Sequence, residues 1–193
     1  EQYHVCLAAP GISRTDERRF AASILDAIVG GSASSRLFQE IREKRGMAYS
    51  VYSYASQYSD AGQVGLYVGT REENLAACLE IAIAELADLG AGNVRGEELQ
   101  RAKENLKGRL LLSLESTSNR MTRLGKATVT ETPLLTIEEI VRRLEAVSGD
   151  QVAALADELL AAGRLSAAGI GPDESRFREA VARVNPALLS EAA

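Results

Sequence analysis

The 193-residue chain has no tryptophan, one histidine, two cysteines and four prolines. Each shortage excludes something. A hydrolytic zinc site takes three protein ligands and leaves one position open for water. His4 and the widely separated Cys6 and Cys78 cannot furnish that set. His4 and Cys6 stand two apart in a strand pattern and share a face, but no third group is placed to orient them as a nucleophile pair. Each cysteine lies in an apolar segment and reads as a buried free thiol of a reducing, cytoplasmic compartment. No apolar run approaches the roughly 18–20 residues that span a bilayer, and no signal-like start is read. Basic residues number 22 against 27 acids, and many stand beside acids, as in Asp16-Glu17-Arg18-Arg19. A chain of net charge -5 without a basic stripe is a poor nucleic-acid binder. A Gly-x-Ser-x-Gly elbow and a phosphate-cradling glycine loop are also missing.

What is present is ordinary for a globular protein: 46% hydrophobic and 25% charged residues. The length suits one domain over 1–193 with its own core. The chain starts at Glu1 without methionine and enters a strand pattern at once, which reads as a piece of a longer polypeptide. Alternation predicts strands over 3–9, 48–58, 63–69 and 165–171, the middle two forming a hairpin. In the second strand the odd positions, Tyr49 and Val51, share one face and Tyr52, Tyr54 and Tyr58 the other. Helical spacing predicts helices over 15–29, 35–45, 96–127 with a break near 116–119, 137–147, 149–162 and 174–184. Ser32–Ser35 offers N-cap side chains to the second of these. Thr70-x-x-Glu73 reads as a capping box opening a helix that runs to Leu89 and stops at Gly90; Thr136-x-x-Glu139 and Ser148-x-x-Gln151 read likewise. Paired acids such as Glu97-Glu98 lie in first helical turns, where they complement the helix dipole. The fold class is α+β, a single antiparallel or mixed sheet covered by helices.

One segment is specific: Gly30-Gly31-Ser32, Ser35-Arg36-Leu37, then Ile41-Arg42-Glu43 and Arg45-Gly46-Met47-Ala48-Tyr49-Ser50-Val51. It resembles the second homologous half of peptidases of the insulinase/pitrilysin family, and more narrowly the bacterial members similar to mitochondrial processing peptidase. The resemblance implies one half of a clamshell that closes around an unfolded peptide. It places zinc in the other, N-terminal half or in a homologous subunit, and no metal in this one. It implies that Arg42 and Tyr49, seven residues apart, reach across to the substrate. It makes Gly30, Gly31 and Ser32 a candidate substrate loop, shorter than the family's glycine-rich counterpart. In the first helix Ser23, Asp26 and Ala27 fall where the zinc half would carry His-x-x-Glu-His, and serine and alanine cannot replace imidazoles. The isolated chain is then expected to be inert, and a homodimer is compatible with the family. Core proteins of the respiratory cytochrome bc complex resemble the same family, so a structural subunit without peptidase role is the alternative.

Overall fold

The computed structural model describes residues 2–189. Glu1, on which the fragment reading rests, and 190–193 lie outside the described residues.

Four antiparallel strands form one sheet: β1 (Gln2–Gly11), β2 (Ala48–Gln57), β3 (Gly62–Arg71) and β4 (Ser166–Ile170), in the order β2-β3-β1-β4. Alternation explains β1, whose Tyr3, Val5, Leu7 and Ala9 are buried while Gln2, His4 and Pro10 are exposed. β3 contributes Val64, Leu66 and Val68 to the same buried layer. Seven α-helices follow the expected order: α1 (Arg19–Val29), α2 (Leu75–Gly90), α3 (Gly96–Ser113), α4 (Thr117–Val129), α5 (Ile137–Ala146), α6 (Gly149–Leu160) and α7 (Glu174–Val184). Except for α4, which buries no residue, their apolar faces meet in one hydrophobic cluster with the inner face of the sheet, with Ile24 and Leu25 of α1, Leu79 and Ala82 of α2 and Val152 and Leu155 of α6 among its members. The opposite face of the sheet is open. His4, Cys6, Tyr52, Tyr54 and Tyr67 stand on it, with Tyr52 and Tyr67 stacked at 4.9 Å and His4 Nδ1 bonded to the Tyr67 hydroxyl at 2.6 Å.

Several local expectations are corrected. The first helix begins at Arg19 rather than near 15, because Asp16 first makes a turn, accepting from the Arg18 amide at 2.7 Å. Thr70 caps no helix. Strand β3 continues to Arg71, paired with Gln2, and the Thr70 hydroxyl donates to the Met47 carbonyl at 2.6 Å. A 3-10 turn, Glu72–Asn74, then leads into α2. That helix includes Gly90, and the left-handed residue that follows is Gly92, at φ +94°. Of the other two boxes, Ser148 and Gln151 cap reciprocally as read, whereas at Thr136 only half forms: its side chain accepts from the Glu139 amide, and the Glu139 carboxylate turns to Arg142 and Arg143 instead. The break at 116–119 is real, with Ser116 capping α4.

Candidate functional site

The specific segment occupies one corner of the sheet. Gly30 ends α1 against β2, so closely that a Cβ there would lie 2.2 Å from the Ser53 amide nitrogen. Ser53 in turn donates to the Asp26 carboxylate at 2.5 Å. This clasp fixes where the next segment starts. Gly31 accepts from Arg109 at 3.1 Å, and the Ser32 hydroxyl donates to the Ala27 carbonyl at 3.2 Å. Gly30, Gly31 and Ser32 are thus held by the frame of the fold, with backbone and capping contacts of their own.

The expected helix over 35–45 is shorter and wider. Residues 36–43 are helical, and Phe38–Glu43 is a π-helix. Ser35 is buried, but its hydroxyl caps nothing and has no partner among the described residues. The anchor is Arg36. Its side chain is 4% exposed and bonds Glu98 at 2.6 and 3.1 Å, Asp88 at 2.7 Å, Glu85 at 3.3 Å and the Asn93 carbonyl at 2.6 Å. Burial opposes the charge of Arg36, but its bonds to Glu98 and Asp88 outweigh burial and hold it protonated more firmly than usual. Glu98, also buried, is likewise disfavoured by desolvation, yet the Arg36 bond and the Arg95 amide hold its carboxyl below the ordinary range. Glu98 therefore does more than complement a helix dipole: it ties the corner to α3.

The helix closes on Gly46, at φ +62°, with the Met47 amide reaching the Ile41 carbonyl at 3.0 Å. Strand β2 then opens with a bulge: Ala48 pairs with Thr70 and Ser50 with Gly69, leaving Tyr49 as the extra residue. This corrects the alternation reading. Val51 is buried, whereas Tyr49 is 81% exposed on the other side. The result is a meeting of the two predicted residues. The Arg42 guanidinium carbon lies 4.7 Å from the Phe38 ring centre and 5.0 Å from the Tyr49 ring centre. Glu43 is the nearest carboxylate to Arg42, at 3.8 Å. A π-turn and a bulge, both common next to functional sites, flank the pair.

Chemically, the corner offers a fixed cation and a phenol donor, and no nucleophile. The first helix does not fit zinc. The Ser23 hydroxyl donates to the Arg19 carbonyl at 2.9 Å, Ala27 is buried, and Asp26 is spent on Ser53. Burial pushes the Asp26 carboxyl up. Among the described residues no three His, Cys, Asp or Glu side chains cluster as a metal site.

A Pseudomonas fluorescens structure described as a peptidase M16 inactive domain superposes with a TM-score of 0.81 at 29% identity, over 89% of this chain and 41% of that one. The family model for the peptidase M16 inactive domain matches residues 1–106, and the chain belongs to the peptidase M16 family. It is 41% identical over 186 residues to an uncharacterized zinc protease of Streptomyces coelicolor and 42% identical over 159 residues to one of Bacillus subtilis. Those matches take in 94% and 82% of this chain but only 40% and 39% of the relatives' lengths.

Proposed function

We propose that this chain is the substrate-handling half of a zinc peptidase, acting with a zinc-bearing half or a homologous subunit. The observation that carries the reading is the Arg42–Tyr49 pair, an exposed phenol with a guanidinium on its face. When an extended peptide is attacked in the partner half, negative charge develops on the scissile carbonyl oxygen. The Tyr49 hydroxyl would donate to that oxygen, and Arg42 would grip neighbouring peptide carbonyls. Zinc, held by the partner half, supplies activation of the attacking water. This chain contributes orientation and charge stabilisation, so it is inert alone. Free Cys6 and Cys78 support a cytoplasmic location, and no helix among the described residues is long and apolar enough to cross a membrane.

The test uses separately purified halves and a quenched fluorescent unfolded peptide. Hydrolysis should require both. In the complete enzyme Tyr49→Phe should lower kcat by about 100- to 1000-fold while weakening substrate binding much less, the cost of one oxyanion donor. Full activity from the zinc half alone, or an unchanged rate in Tyr49→Phe, would make this chain a structural subunit instead.

A further inference from the structure

A cleft of about 570 Å³ opens on the helix side of the sheet, away from the Arg42–Tyr49 corner. The end of edge strand β2, through Ala55 and Gln57, forms one wall, and α4 with the 130–135 segment forms the other. Phe20, Leu106, Leu135 and Ile140 give it an apolar lining. Its charge is inverted relative to the chain: four cations (Arg14, Arg19, Arg123, Lys126) line it against one acid, Asp26, in a protein of net charge -5.

The cations are not neutralised where they stand. Arg14 donates to the Gln57 carbonyl at 2.8 Å, and Arg123 donates to the Leu135 carbonyl. Among the described residues neither has a carboxylate within ion-pair distance, and neither does Lys126, while Arg19 has only the exposed Glu17 at 3.6 Å. Among the described residues most other arginines and lysines are paired with acids, as in Arg18–Glu158, Lys107–Glu145 and Arg178–Glu174. The lone acid, Asp26, is engaged by the Ser53 hydroxyl, and burial pushes its carboxyl up. Desolvated apolar walls strengthen an ionic contact made between them. The volume lies within the roughly 300–1,000 Å³ of ordinary ligand sites.

We propose that this cleft binds an acid-bearing segment of a peptide, its carboxylates taken by Arg14, Arg123 and Lys126 and its apolar side chains by Phe20, Leu135 and Ile140. The proposal rests on the reading of the chain as a peptide-handling domain and adds to it a preference for acidic sequence at a second place.

Isothermal titration calorimetry on the chain tests it, with a capped octapeptide of Leu, Ser and Glu and its Gln and Lys counterparts. The Glu peptide should bind, the Gln peptide about ten-fold more weakly and the Lys peptide not measurably, with the differences shrinking as salt is raised. Lys126→Glu should weaken the Glu peptide by roughly five-fold with only a small fall in melting temperature, because Lys126 is exposed, has no ionic partner and gives up only its favourable place in the last turn of α4. Arg101→Glu, an equal charge change outside the cleft, is the control. Equal binding of the three peptides, an effect of Lys126→Glu no larger than that of Arg101→Glu, or equally tight binding of an oligothymidylate of matched charge would overturn the proposal. Failure here is separable from failure of the corner, since Tyr49→Phe is read on turnover and leaves the charge preference unchanged.

Discussion

Arg36 shows what a single residue can conceal. Its place in Ser35-Arg36-Leu37 belongs to the same motif as Arg42, yet nothing local says that it is buried or that its partners are Glu85, Asp88 and Glu98. Those acids lie 49 to 62 residues further along, so only the tertiary fold brings them together. Arg42 and Tyr49, by contrast, could be named from the motif, although the direction of Tyr49 could not. Removing the Arg36 guanidinium strands Glu98, which is 7% exposed. Arg36→Met should therefore cost about 3–5 kcal/mol in urea unfolding, as when one partner of a buried pair is lost. Arg36→Lys should recover only part of it, because an ammonium cannot reproduce the forked contacts to Glu98 and Asp88. Replacing Arg36 and Glu98 together with apolar residues of similar volume should cost less than the single change.

At the scale of elements, the strands and most helices were legible because burial repeats along them with period two or near four. Thr70 shows where that reading stops. A Thr-x-x-Glu pattern is local, but pairing of Arg71 with Gln2 prolongs the strand, and the Thr70 hydroxyl finds Met47 instead. The bulge at Tyr49 was equally silent, since an extra residue leaves no compositional mark. The two glycines bracketing the corner are required for different reasons, and substitution separates them. At Gly30 the obstacle is space, a backbone nitrogen 2.2 Å from the position of a Cβ. At Gly46 nothing lies within 4 Å, and the obstacle is a φ of +62°. Gly46→Ala should cost about 1–2 kcal/mol, with Asn at 46 recovering much of it. Gly30→Ala should cost about 1–3 kcal/mol through overpacking, and Asn at 30 should be no better. Chemical denaturation of the four variants distinguishes the two causes.

For the whole molecule, α+β with one helix-covered sheet was readable from element order, whereas the open sheet face and the basic cleft emerge only when distant segments meet. The pH dependence of stability is also a property of the assembled fold. Glu98 and Asp88 have carboxyls held below the ordinary range: Glu98 because its bonds outweigh burial, Asp88 through Asn93 and then Arg36. A lowered folded-state pKa gives stability that is complete above the unfolded value of about 4 and is lost as pH falls through the folded one. Asp26, raised by burial, acts in the opposite sense. Its contribution is complete below the unfolded value and lost as pH rises through the folded one. Thermal melts from neutral to acid pH should show stability falling below about pH 4, with a smaller fall in Arg36→Met. Asp26→Asn should raise the melting temperature at neutral pH, since an amide can keep the Ser53 bond without a buried charge.

The open face of the sheet has an optical consequence. With no tryptophan in the chain, near-ultraviolet absorption and emission come almost wholly from six tyrosines. Tyr52, Tyr54 and Tyr67 stand on that face, and Tyr52 and Tyr67 lie within 4.9 Å of each other. At that separation two rings exchange excitation, and their circular dichroism carries the handedness of the pair. The strands β2 and β3 thus carry their own chromophores, and light reports their pairing without any label.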